Sequence, residues 1–534
     1  MFLKSIKNIT LFITGLLLLV NISSVSGEPS YGDAIIAGSI GDASTLIPIL
    51  ASDSASQDIV GLVFNGLLKY DKNIKLVGDL AESWEVSSDK LTITFHLRKN
   101  VRWHDGFPFT ASDVMFTYKK LTDPDVPTPY GGDFERIKKA EVVDPYTFKA
   151  TYKEPFSPAL ASWGMWIMPE HLLKDKNLIK CGFARHPIGT GPYKFKKWKT
   201  GQRIILEANN EYFEGRPCID RYVYQIIPDD ATMFLELGAG NIDWMGLNPV
   251  QYVYQTNKTW FKTGFNKYKY PSFGYTYLGY NLKNPLFKNK LVRQALTYSI
   301  NKSEIIKGVL LGLGEISTGP FPPESWAYNK HVRKYAYNPL KAKEMLKLCG
   351  WDDHDGDGWI DKNGEKFEFE IITNQGNTQR KKCAEIIQQN LRLVGIKVNI
   401  RIIEWASFLN EFIYKKRFDA ILLAWSLGRD PDCFDIWHSS KTKEKEFNFV
   451  SYNNPEIDKL LEEGRKEFEI EKRRQIYHRI HEVLAEDQAY TFLYVSDSLP
   501  VVHTRFKGIE VSPIGIGYDF IKWYVPKRVQ RYMQ

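Results

Sequence analysis

The stretch FEFEIITNQGNTQRKKCAEIIQQNLRLVGIKVNI, residues 367–400, decides the fold class. Phe367, Phe369 and Ile371 alternate with polar residues, the period-two sign of a half-buried strand. From Gln379 to Val394 the period changes to that of a helix, with Cys383, Ile386, Ile387, Leu391 and Val394 on one face. Gly395 follows where a helix C-cap favours glycine, and Ile396, Val398 and Ile400 alternate again. A strand, a helix and a strand joined by short links form a βαβ unit. That unit demands a parallel sheet and a right-handed crossover, so the chain belongs to the α/β class.

The next apolar run, Phe418 to Leu423, reads as a buried strand that continues to Trp425. The loop Ala424-Trp425-Ser426-Leu427-Gly428-Arg429-Asp430-Pro431-Asp432 then turns into a helix-like pattern, Phe434 to Trp437. In open α/β sheets ligands sit outside the carboxyl ends of the strands. Trp425, Ser426, Gly428, Arg429 and Asp430 are therefore ligand-binding candidates: an aromatic platform, a flexible turn and one charge of each sign. Arg429 suits a bidentate clamp on a carboxylate. The same features also describe a plain strand-to-helix turn with a surface ion pair, and the rest of the chain has to choose between the two.

At 534 residues the chain exceeds what one hydrophobic core supports, and two to four domains are expected. Hydrophobic and charged contents of 43% and 25% are those of a soluble globular protein. Lys4 and Lys7, the apolar run Ile9 to Val20 and the small residues Val25-Ser26-Gly27 make residues 1–27 a secretory signal peptide. No cysteine follows the apolar run, so a lipoprotein anchor is not expected, and the mature protein should be exported and soluble. The net charge is +8, two of which come from Lys4 and Lys7. The basic residues are dispersed, and Lys441, Lys443 and Lys445 read as a solvated face, so no nucleic-acid partner is expected. Five widely spaced cysteines form no zinc pattern or disulfide framework; Cys181 with Cys218 is the best candidate for a bridge.

In the N-terminal half, Ala34 to Ile40 and Leu91 to Leu97 read as strands, and Gln57 to Tyr70 is apolar at helical spacing. Thr110 caps a helix with Asp113 at its third position. The run LAESWEVSSDKLTITFHLRKNVRWHDGFPFTASDV, Leu80 to Val114, closely resembles the signature region of the family 5 extracellular solute-binding proteins. These are the peptide- and nickel-type binding proteins of ABC importers. The likeness continues at Gly189-Thr190-Gly191-Pro192-Tyr193, at Asn210 to Arg216, at Arg293 to Lys302, and from Asn454 to Tyr494 with Arg473 and Tyr477.

This resemblance implies a two-lobed periplasmic-binding-protein type II fold, in its large variant, with mixed sheets and an interlobe cleft. Lobe I would span 28–268, including an extra subdomain of about 61–169. Lobe II would span 269–490, and 491–534 would return to lobe I. The hinges would lie near Tyr270–Asn281 and Ala489–Ser496. Matching family segments add Ser44, Asn65, Trp244, Ser272, Tyr275, Asn374 and Gln375 to the ligand candidates. Where many peptide-binding relatives carry an Asp three residues after the Trp, to pair with the peptide ammonium, this chain has Gly428. Asp430 is the available substitute. The implied function is capture of a peptide or peptide-like solute and delivery to an inner-membrane ABC permease by a monomer. An oligosaccharide, a metal complex or another small organic solute is the alternative ligand, and a secreted hydrolase is a more distant one.

No phosphate loop, nucleophile elbow or His-Glu-x-x-His is present, so neither a catalytic residue nor a cofactor is expected. His104-Asp105 reads as structural, and His478 and His481 as the solvated side of a helix. Asp353, Asp355, Asp357 and Asp361 resemble the opening of a calcium loop, with Gly358 at the sixth position. Gly364 stands where a bidentate Glu is required, and a strand follows instead of a helix. A structural Ca²⁺ remote from the cleft is the metal reading of that loop.

Overall fold

Strands Glu368–Asn374 and Lys397–Ile403 pair in parallel, from Glu368 opposite Lys397 to Asn374 opposite Ile403, across helix Thr378–Arg392. The computed structural model describes residues 29–532, so the expected signal peptide lies outside them. On the other side of Glu368–Asn374 runs the parallel strand Ala420–Ser426, followed by the antiparallel strands Gly274–Tyr280 and Tyr490–Ser498. All seven residues of Gly274–Tyr280 are buried, as expected for the centre of a sheet covered on both faces.

A second seven-stranded sheet is built around Ala34–Ser39. This strand pairs in parallel with Arg221–Ile226 on one side and with Trp244–Gly246 on the other. Beyond them lie Arg203–Ala208 and Tyr193–Lys199 at one end, and Pro500–His503 and Phe265–Lys267 at the other. A separate antiparallel sheet of four strands, Ala81–Val86, Thr92–Leu97, Thr147–Tyr152 and Ile137–Asp144, lies within the stretch 61–169. Its core closes on the buried Trp163, with Phe95, Phe134 and Phe148 edge-on at 5.1–5.5 Å between ring centroids.

The chain passes between the two large sheets between Lys267 and Tyr270 and returns between Ser498 and Pro500. The two crossings are paired with each other. Asn266 lies opposite Val502, Tyr270 lies opposite Ser498, and the Tyr268 amide donates to the Pro500 carbonyl at 2.9 Å. The segments expected as hinges, Tyr270–Asn281 and Ala489–Ser496, lie largely within buried central strands of the sheet that holds Glu368–Asn374. The returning chain joins the sheet around Ala34–Ser39 at strand Pro500–His503.

Several local expectations are corrected. The helix expected over Gln57–Tyr70 is Ser54–Val63; the chain then leaves the helix, and Leu68–Tyr70 is a strand. All five cysteines are free, including Cys181 and Cys218. Lys441 is buried beside Asp435 (3.7 Å), not solvated. His481 is buried as well: its Nδ1 accepts from the Asn329 amide at 3.1 Å and its Nε2 faces Thr318 Oγ1 at 3.2 Å. Burial lowers its pKa to about 3, so it is a neutral structural imidazole.

Candidate functional site

Helix Ser54–Val63 sets up one wall of the cleft. Asp53 caps it, accepting from the Ser56 amide at 3.0 Å and the Ser56 hydroxyl at 2.7 Å. After Val63 the chain packs so tightly against the Gly189–Pro192 turn that a Cβ on Gly189 would lie 1.8 Å from the Val63 carbonyl oxygen. That close approach explains the glycines of the turn. Thr190 Oγ1 donates to Asn65 Oδ1 at 3.1 Å, and Asn65 Nδ2 donates to Asp79 (3.0 and 3.2 Å) and Tyr212 Oη (3.2 Å). Asn65 therefore borders the cleft with its side chain already committed to the scaffold. His104 belongs to the same support: its Nε2 faces the Gly191 carbonyl at 2.9 Å, and its Nδ1 accepts from the Gly189 amide at 3.2 Å.

Three connected cavities run along this wall. One of about 750 Å³ is bordered by Asn65, Lys69, Tyr70, Trp166, Tyr212 and Lys522, among others. Another of about 400 Å³ shares Leu62, Gly517 and Phe520 with it and extends to Ser39, Asp58, Tyr222, Tyr224 and Trp244. A third of about 290 Å³ shares Ala161, Gly164 and Trp166 with the first and reaches Asp435 of the second lobe. The charged groups of the largest cavity neutralise one another: Lys69 Nζ lies 2.5 Å from Glu214 and 3.4 Å from Asp79.

The Trp425–Asp432 loop faces this wall from the second lobe. Burial raises the Tyr70 phenol to about 12, with Asp430 adding to the rise and Arg429 and Arg473 opposing it, so Tyr70 and the loop face each other across the cleft. Trp425 is half-buried and less open than a free platform would be: Phe449 stacks on it at 5.3 Å and 14°, and its Nε1 donates to Tyr490 Oη at 3.4 Å. Ser426 and Gly428 are exposed. Arg429 lies 4.4 Å above the Phe273 ring and donates to the Pro513 carbonyl at 3.0 Å, which ties the loop to the returning C-terminal segment.

Asp430 does not stand free as a substitute ammonium anchor. Both its oxygens are held by Arg473, at 2.7 and 2.8 Å, in the bidentate geometry that carboxylate and guanidinium favour. Asp432 is likewise held by Arg465 at 2.6 Å.

The remaining candidates scatter. Trp244 borders the 400 Å³ cavity. Ser44 donates to Asp53 at 2.5 Å and borders a separate space of about 180 Å³. Ser272 sits at the crossing, its amide donating to the Ser496 carbonyl at 3.0 Å. Tyr275 is only 2% exposed and belongs to the second lobe's core. Asn374 is buried and accepts from Arg380 at 2.7 Å, whereas Gln375 is exposed at the end of its strand. Sequence reasoning missed Asp58, Tyr70, Trp166, Tyr222, Tyr224 and Phe520. The alternation Tyr222-Val223-Tyr224 carried a faint signal, two phenols on one strand face.

Three of the four calcium-loop carboxylates come together. Single oxygens of Asp353, Asp355 and Asp357 lie within 4.8 Å of one another, all exposed. Asp361 turns away, accepting from the His354 amide at 3.1 Å. Lys366 pairs with Asp357, and Asp353 accepts from the Gly356 and Gly358 amides at 2.9 and 3.0 Å.

The lobes touch on both flanks of the cleft. Ser52 and Tyr414 hydroxyls meet at 2.7 Å, Thr378 Oγ1 donates to Asp230 at 2.7 Å, and Arg465 reaches Asp133 at 2.8 Å. Two α/β lobes on a paired double crossing, closed over a cleft of several connected pockets, define a two-lobed solute-binding protein of the periplasmic type. The chain belongs to the bacterial extracellular solute-binding proteins, family 5, whose middle-region description matches residues 75–447.

Among its relatives, the oligopeptide-binding protein AppA of Bacillus subtilis is 38% identical over 516 residues, covering 94% of this chain and 93% of AppA. The structure of B. subtilis AppA in complex with a nonapeptide superposes with a TM-score of 0.89 at 36% identity, covering 94% of this chain and 100% of that one. The periplasmic binding protein DppA of Helicobacter pylori, in complex with the peptide STSA, superposes with a TM-score of 0.85 at 27% identity, covering 93% and 99%. Among the described residues no helix is long and apolar enough to cross a membrane.

Proposed function

We propose that this chain captures peptides in the cleft between its lobes and delivers them to the membrane permease of an ABC importer. The observation that carries the reading is the run of connected cavities of about 750, 400 and 290 Å³ along one wall of an interlobe cleft. That space suits an extended chain of several residues better than a single small solute. Similarity to AppA, and to its nonapeptide complex, supports the same class of ligand. The protein acts as an exported monomer, led out by residues 1–27. It binds without turnover; a labelled peptide incubated with it should be recovered intact.

The mechanism is a population shift. A peptide that touches both lobes binds the closed form better than the open one, and the paired crossings at 265–271 and 497–503 absorb the rotation. A ligand at 100 times its dissociation constant should raise the unfolding free energy by about 2.7 kcal/mol. A thermal-shift screen of short peptides, sugars and metal chelates, with native mass spectrometry of any co-purified ligand, tests this. Peptides should raise the melting temperature. A rise with sugars or chelates and none with peptides would overturn the reading.

A further inference from the structure

The 400 Å³ cavity has a chemistry of its own. Tyr222, Tyr224, Trp244 and Phe520 wall it, and among the described residues Asp58 is the one charged residue that borders it. The Phe520 ring lies 6.2 Å from Trp244 and meets Tyr222 edge-on at 5.6 Å, so the aromatic wall is continuous. Tyr224 Oη donates to Ser39 Oγ at 2.7 Å, which fixes the phenol at the cavity edge. Among the described residues Asp58 has no ion-pair partner, unlike Asp430, Asp432, Asp79 and Glu214 along the same cleft. Its side chain is exposed and borders the cavity. A carboxylate within an aromatic enclosure that no lysine, arginine or histidine enters attracts a cation by charge and by the ring faces together.

We infer that the cavity around Asp58 is a subsite for an ammonium or guanidinium group, carried by the peptide as a Lys or Arg side chain or as its free N-terminus. The inference rests on the peptide reading above and adds to it a preference for cationic ligands. The groups facing Asp58 are Asp53 behind it and the Tyr222 and Tyr224 phenols beside it. Desolvation by the surrounding protein and the neighbouring Asp53 raise the Asp58 carboxyl to about 7, and the Tyr224 hydroxyl opposes that rise. A bound cation needs the ionised form, so binding should strengthen as pH rises to about 7 and level off above 8.

The test uses four peptides with the full mature protein and its Asp58→Asn variant, with affinities read by calorimetry. They are Ala-Ala-Lys-Ala-Ala and its norleucine counterpart, each with a free and an acetylated N-terminus. The wild type should bind a cation-bearing peptide about tenfold or more tighter than its uncharged counterpart, a difference of about 1.4 kcal/mol. Asp58→Asn should abolish that preference. A preference that follows the lysine identifies a side-chain subsite; one that follows the free amine identifies the N-terminus. For the acetylated lysine peptide the affinity should fall about fivefold from pH 7 to pH 6. Equal affinities for all four peptides, or a cation preference that survives in Asp58→Asn, would overturn the subsite and leave peptide binding intact. Failure of all four to bind the wild type would bring down both readings.

Discussion

Arg505→Leu is expected to lower the unfolding free energy by about 3–5 kcal/mol, measured by urea denaturation, the largest effect of any single substitution discussed. Arg505 is 2% exposed and holds two carboxylates that are fully buried: Asp33 at 2.8 Å and Asp243 at 2.6 Å. It also donates to the Ala34 carbonyl at 2.9 Å. These contacts tie the returning C-terminal segment to the first strand of the chain and to the strand that begins at Trp244. Asp33 and Asp243 enclose one cation, so removing it leaves two like charges buried together.

The sign of the pH dependence follows. Burial already pushes the Asp243 carboxyl up, and Arg505 opposes that. Without Arg505 the folded-state pKa rises further above the unfolded value, and a raised carboxyl loses stability as pH increases. The deficit of the variant should therefore be smaller at pH 5 than at pH 8. Asp243→Asn placed in the Arg505→Leu background should recover part of it. An unchanged denaturation midpoint at pH 8 would contradict this account.

Arg465→Met should act on closure of the cleft as well as on stability. Arg465 is 1% exposed, lies 3.8 Å above the Phe434 ring, and bridges Asp432 of the second lobe to Asp133 of the first lobe's subdomain. Burial raises the Asp133 carboxyl and the Arg465 charge opposes that rise. Unpairing it in the closed form costs about 3–5 kcal/mol, but opening the lobes returns Asp133 to water. The variant should therefore shift toward the open form. Small-angle scattering should register a larger radius of gyration without ligand. Peptide affinity should fall on the order of a hundredfold, mainly through faster dissociation. Replacing Asp133 by Asn in the same background should restore part of the affinity. An Arg465→Met protein that keeps wild-type affinity and compactness would show that this bridge does not hold the lobes together.

Much of the scaffold is legible locally because its signals are local. The change of period between Phe367 and Ile400 predicts the βαβ unit that forms, with Thr378–Arg392 as its helix. Thr110 and Asp113 announce a helix start, and the Thr110 amide does donate to Asp113 at 2.9 Å. The errors share one cause. Asp430 was read as free for a ligand, and His481 and Lys441 as solvent-facing, from their neighbours in sequence; each is buried or paired by residues far along the chain: Arg473, Asn329 and Asp435. A lone charged side chain gives no local sign of the partner that will cover it.

The cleft shows the same division more sharply. Ser39, Asp58, Tyr222, Trp244 and Phe520 border one cavity although hundreds of residues separate the first from the last. They meet because Ala34–Ser39 takes the centre of its sheet, with Arg221–Ile226 on one side and Trp244–Gly246 on the other. The amino-acid sequence by itself determined the α/β class and the family, since periodicity and motif are properties of consecutive residues. The tertiary structure alone decided which carboxylates are neutralised and which is left for a ligand. Pairing depends on distances across the fold, and there Arg473 and Arg465 claim Asp430 and Asp432 while Asp58 faces the cavity without a counter-charge.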